Sequence, residues 1–240
     1  MNRIKFTNFI FMRMFPLCML VYICMIIANI ISFRIISGKV NSDLVAFEGV
    51  IPYTSMEIIF AVSFILSLCV IPLVFFSFFY KSKSIYTLVQ VQPGKNSIYY
   101  SLLINGLVNL LGLWLSQMIS IFICYATYIN KGGLFLSVVR LDFFRIFFPF
   151  SVIEWIHLAF IMITSVMATI YIITILLKRR CRGLITVALW GQITIYFINN
   201  FRNGLGLEGV NAYYVIGVGA FSVITFFRKG KYALNGIEEL

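Results

Sequence analysis

The chain has 240 residues, 61% of them hydrophobic and 11% charged, with a mean hydropathy of +0.99 and a formal net charge of +11. Soluble domains are about half apolar and about a quarter charged, so this balance excludes an ordinary globular domain and points to an integral membrane protein. The positive charge gathers at the ends of apolar runs, where it reports topology and contact with anionic lipid rather than nucleic-acid binding.

A bilayer-spanning helix needs about 20 mostly apolar residues, each rising about 1.5 Å against about 30 Å of hydrocarbon. Six stretches meet that length: 14–33, 58–80, 98–126, 152–177, 183–201 and 213–227. The expected fold is therefore an all-α integral membrane protein with six transmembrane helices, one membrane domain covering 1–240. The first run follows a basic segment and is too long, without a small-residue cleavage site, for a secretory leader, so it is read as a span.

The first connection, "SGKVNSDLVAFEGVIPYTS", is polar and acidic and reads as a loop. After the second run comes "KSKSIYTLVQVQPGKNSIYY", Lys81 to Tyr100. Ser84 caps a new helix there, and Ile85, Leu88 and Val89 recur at i, i+3 and i+4 to give one apolar face. Pro93 ends that helix, because it lacks the N–H that would extend it and biases Gln92 away from helical backbone. The expectation is a two-turn amphipathic helix between the second and third spans, which either lies on headgroups or docks into a partner's groove.

In the third span Asn105, Asn109, Gly112, Ser116 and Ser120 share one helix face, forming a polar, small-residue seam. Such a seam either packs helices within the chain or lines a path or an interface with a second subunit. The connection after it, from about 127 to 151, contains "LFLSVV" and "FFRIFFPF", with Arg140 and Arg145 between aromatic runs, and reads as an interfacial segment. Glu154 and His157 lie three residues apart at the start of the fourth span; they are either a headgroup-solvated pair or part of an ion or substrate path. In the sixth, Gly217, Gly219, Ala220 and Ser222 favour close packing.

Orientation follows from the basic residues, which cytoplasmic loops retain. Arg3, Lys5, Arg13, Lys81, Lys83, Lys95, Lys178, Arg179, Arg180, Arg182, Arg228, Lys229 and Lys231 fall on one side. The opposite side carries Arg34, Lys39, Lys131, Arg140, Arg145 and Arg202, balanced by acids such as Asp43, Glu48, Asp142 and Glu208. Both termini are expected in the cytoplasm.

Catalytic motifs are scarce. The string "PGKNS" lacks the first glycine of a phosphate loop and has Asn96 where Ser or Thr would hold magnesium. Five cysteines, an odd number, with no C-x-x-C indicate neither a disulfide framework nor a metal site. One histidine excludes a multi-histidine zinc site, and the adjacent Glu238 and Glu239 sit in the last residues, so an intramembrane protease is disfavoured and no catalysis is expected.

The order of basic N-terminus, "MFPLCMLVY" first span, connection, second span, "KSKSIYTLVQVQPGKNSIYYSLL" and further spans resembles the permease subunits of type 2 ABC exporters, particularly those for lantibiotic immunity and antimicrobial-peptide transport. The resemblance spans the topology of the whole chain; its sequence-specific part is Phe15-Pro16-Leu17 and residues 81–103. It implies that Ile85, Leu88, Val89 and Pro93 belong to a coupling helix for a separate ABC ATPase, present in two copies and binding ATP and Mg. It further implies a second permease, identical or homologous, a hydrophobic or antimicrobial peptide as cargo, and residence in the bacterial cytoplasmic membrane. Members often carry Glu-x-Lys near the coupling helix, where this chain has Lys81-Ser82-Lys83. A vitamin importer's substrate-capture subunit fits the size and hydrophobicity equally well, but accounts less well for the helix after the second span.

Overall fold

A computed structural model describes residues 3–39, 46–81, 97–128 and 152–178, with isolated positions 220, 223, 224, 227 and 228. Within the long helices, side chains are described for 7–39, 56–77, 99–128, 152, 155, 156 and 158–173. Among these residues all regular structure is helical: α1 (Arg3–Lys39), α2 (Phe47–Val50), a 3-10 turn (Ile51–Tyr53), α3 (Met56–Lys81), α4 (Ser97–Tyr128) and α5 (Val152–Lys178).

Three of these helices contain stretches long and apolar enough to cross a bilayer: Thr7–Lys39, Met56–Ser77 and Tyr99–Tyr128. The expected second, third and fourth spans nearly coincide with α3, α4 and α5, and α5 carries an apolar run over Leu158–Ile173. The first span is expected at 14–33, whereas α1 extends well beyond it at both ends. Hydrocarbon thickness sets only a minimum length, and nothing in the flanks of that run breaks a helix. The expected spans at 183–201 and 213–227 lie outside the described residues, apart from isolated positions in the second.

Burial is inverted relative to a water-soluble bundle. The outer faces of α1, α3 and α4 are aliphatic: Ile23, Ile27, Ile31 and Ile35; Ile58, Val62 and Ile65; Ile104, Val108, Leu111, Leu115 and Ile119 are all exposed. Meanwhile Asn29, Ser67, Asn105, Asn109, Gln117 and Ser120 are buried between helices. Only a hydrocarbon surround makes that arrangement favourable, because exposed aliphatic stripes meet acyl chains while polar groups find partners inside. The protein is membrane-embedded.

Helix α4 is the central element. It runs parallel to α1 and antiparallel to α3, and packs on both and on α5. The main core gathers Met14, Cys18, Ile71, Val74, Tyr99, Leu102, Leu110, Val166 and Ile170. Gly106 sets the spacing to α5: a Cβ there would lie 2.5 Å from Val166 Cγ1 and 3.0 Å from Ile71 Cδ1. Two helices carry an internal proline, Pro16 in α1 and Pro72 in α3, each costing one backbone hydrogen bond in the helix interior.

The connection between α1 and α3 differs from the polar loop expected there. Phe47, Val50 and Ile51 turn inward and are buried against Phe33, Ile121, Cys124 and Tyr128. Phe47 lies with ring centroids 5.4 Å from Phe33, 5.3 Å from Tyr125 and 5.9 Å from Tyr128. The turn closes through Thr54, whose N–H and hydroxyl both donate to the Ile51 carbonyl at 2.9 and 2.6 Å. Ser55 N–H donates to Ser32 Oγ at 3.0 Å, fixing the turn to α1. A four-residue helix is too short for periodicity to reveal it, and three apolar residues spread among Gly, Glu and Pro read as loop.

Candidate functional site

The polar seam of α4 faces inward, and most of its partners lie on α1. At its first level Thr7 Oγ1 and Ser101 Oγ hydrogen-bond at 2.9 Å. Asn105 Nδ2 donates to the Thr7 carbonyl at 3.2 Å and to the Ser101 carbonyl at 2.9 Å. One turn along α4, Tyr22 brings its hydroxyl within 2.7 Å of both the carbonyl oxygen and Oδ1 of Asn109, which share its single hydrogen. Asn109 Nδ2 donates to the Ser67 carbonyl of α3 at 2.8 Å. Asn109 therefore joins three helices.

Gly112 makes that joint possible. A Cβ there would meet the Tyr22 hydroxyl at 2.7 Å and the ring at 2.9 Å, so only hydrogen fits beneath the phenol. Further along, Asn29 Nδ2 donates to Gln117 Oε1 at 2.8 Å and to Ser120 Oγ at 3.0 Å, while Ser120 Oγ donates to the Gln117 carbonyl at 2.8 Å. Ser116 stands apart: its hydroxyl returns to the Gly112 carbonyl of its own helix at 2.8 Å and makes no bond across.

Of the seam residues singled out by spacing, Asn105, Asn109 and Ser120 thus reach across to other helices, and Ser116 does not. Glu154 and His157 fall within the first two turns of α5; their side chains lie outside the described residues. Ile85, Leu88, Val89 and Pro93 lie outside them altogether. Helix spacing on α4 does not identify Thr7, Tyr22, Asn29, Ser67 or Gln117. The available signal for Asn29 is a lone amide inside "MIIANIIS", since an amide in a membrane run needs a partner. Its partner, however, lies 88 residues away.

Amides and hydroxyls of this kind bind helix to helix. Asn109→Leu is expected to cost about 1–2 kcal/mol, because it strips Tyr22 of an acceptor and frees the bond to Ser67. Ser116→Ala, which breaks only a bond within its own helix, is expected to be nearly silent. Thermal unfolding of both variants in detergent measures the contrast.

Among the described residues no three His, Cys, Asp or Glu side chains come together as a metal site. Comparison with protein-family models, curated proteins and solved structures finds no match. Fold and seam define a helical membrane protein whose polar residues hold its helices together.

Proposed function

We propose that this chain is the transmembrane permease subunit of a type 2 ABC exporter, moving a hydrophobic or antimicrobial peptide across the bacterial cytoplasmic membrane for self-protection or secretion. The observation that carries the reading is the hairpin of α3 and α4. These antiparallel helices pack together, and the amphipathic pattern of Ile85, Leu88, Val89 and Pro93 lies in the short stretch between Lys81 and Ser97 that joins them. A partner gripping that stretch would pull on two membrane helices at once.

The mechanism follows from the seam. Binding of ATP and Mg by two copies of a partner ATPase draws the docked connections together. Asn109 ties α4 to both Tyr22 of α1 and Ser67 of α3, so the pull is shared by all three helices. Their joint tilt changes access to a path between this permease and a second one, identical or homologous. With six spans and both termini cytoplasmic, the connection at 82–96 faces the ATPase. Glu154 and His157 remain candidates for the path.

A pull-down from native membranes in mild detergent, followed by mass spectrometry and an ATPase assay, tests this. Wild type is expected to bring down an ABC ATPase, and Leu88→Asp to lose it while inserting normally. Recovery of no ATPase with wild type overturns the exporter reading. Normal transport by Leu88→Asp removes the docking role of 82–96.

A further inference from the structure

Arg13 is an exposed cation on a helix that offers it no counter-charge. Neither α1 nor α4 contains an acidic residue, and the stretch 82–96 between α3 and α4 has none either. The one acid of α3, Glu57, stands in its first turn, next to Ser55 and its bond to Ser32 near the opposite end of α1. On the face of α1 that carries Arg13 lie Phe9, Pro16, Leu17 and Leu20, at helical spacing and all exposed. A guanidinium on such an outward, apolar face is costly inside hydrocarbon, so its depth decides what can satisfy it.

No charged residue lies between Arg13 and Arg34 on α1, and about 32 Å of helix separates them at about 1.5 Å per residue. A hydrocarbon core is about 30 Å thick, so the two arginines fall at its two edges. Thr7, bonded to Ser101, then lies about 9 Å beyond the Arg13 edge at the same rise per residue. The exposed Phe9, Phe11 and Met12 fall between, at the depth of the headgroups, where the apolar side chains of interfacial helices settle. Side chains on a helix lean toward its N-terminus, so the stem of Arg13 carries the guanidinium toward that layer.

We propose that Arg13 holds the phosphate of an anionic phospholipid in the leaflet at the N-terminal end of α1, with an acyl chain of that lipid lying along Pro16, Leu17 and Leu20. A guanidinium presents paired N–H donors that match two phosphate oxygens. The charge of the lipid follows from the surroundings: α1 opens with Arg3 and Lys5, and α3 closes with Lys81 at the same end of the bundle. A zwitterionic headgroup brings its own ammonium to this cationic end and is disfavoured. A second copy of the chain fits less well, because its α1, α3 and α4 bring no carboxylate to this depth. The site stands independently of any transport role.

The test is native mass spectrometry of the full chain, released from detergent after incubation with equal amounts of phosphatidylglycerol and phosphatidylcholine. Wild type is expected to retain phosphatidylglycerol in preference, Arg13→Gln to retain several-fold less of it, and Arg13→Lys, a point charge without the paired donors, to fall between. Lys39→Gln, at the far end of α1, is expected to match wild type. Equal retention by wild type and Arg13→Gln overturns the proposal, as does an equal loss in Lys39→Gln or a wild type that holds both lipids alike. A loss of dimer in Arg13→Gln with the lipid count unchanged assigns the face to a second copy and overturns it too. Should Arg13→Gln fail to fold, dipolar coupling between 13C in the arginine guanidinium groups and lipid 31P decides, compared between wild type and Arg13→Lys in the same lipids: weaker coupling in the variant supports the site, and unchanged coupling sinks it.

Discussion

Gly106→Val is expected to cost the membrane domain about 3 kcal/mol, the upper part of the range for forcing extra carbon into a filled core. The position allows no side chain. A Cβ would stand 2.5 Å from Val166 Cγ1, and Val166 is buried completely. A valine is stiff about χ1 in a helix, so it does not swing clear; α5 must move away from α4 as a body. The measurement is thermal unfolding in detergent, with Val166→Ala as the compensating change. Gly106→Ala alone is expected to lower the midpoint clearly, and Gly106→Ala with Val166→Ala to recover much of the loss. A Gly106→Val variant as stable as wild type would show that the α4–α5 contact is not close-packed here.

Phe47→Ala is expected to cost about 3–5 kcal/mol, as for other fully buried phenylalanines. Phe47 touches three aromatic rings at 5.3–5.9 Å and has no exposed surface. Without it, Val50, Ile51 and the Ser55–Ser32 hydrogen bond are left to hold the short helix and its turn against α1 and α4. Hydrogen exchange should therefore rise across residues 47–55 well before the long helices respond, because the damage is confined to one end of the bundle. Phe47→Leu, which keeps most of the volume, should lose markedly less. Equal protection of 47–55 in Phe47→Ala and wild type would refute the packing account.

Much of this fold is visible in the sequence for one reason: hydrocarbon imposes a length and a composition on whatever crosses it. The runs at 58–80, 98–126 and 152–177 match their helices to within a few residues. The seam of α4 is legible too, since Asn105, Asn109 and Ser120 repeat on one face. Its other half is not. Thr7, Tyr22 and Asn29 occur singly along α1, and no periodicity in one helix says which residue of another stands opposite. Phe47 is hidden by a different effect. It sits in a short, polar-looking connection, and only long-range packing against Phe33 and Tyr128 draws it inside. Gly106 likewise is marked out only by Val166 and Ile71, which lie on other helices.

The parallel pairing of α1 with α4 has a consequence for how the protein is made. Asn29 and Gln117 are 88 residues apart, and chains grow at about 5–20 residues per second, so α1 waits roughly 4–18 s for its partner to be synthesised. Throughout that interval Tyr22 and Asn29 are in or beside the membrane without the groups that satisfy them. The nascent first helix must therefore be sheltered by the insertion machinery, or lie at its wet boundary, until α4 arrives, and mutations that delay α4 would be felt first as degradation of α1.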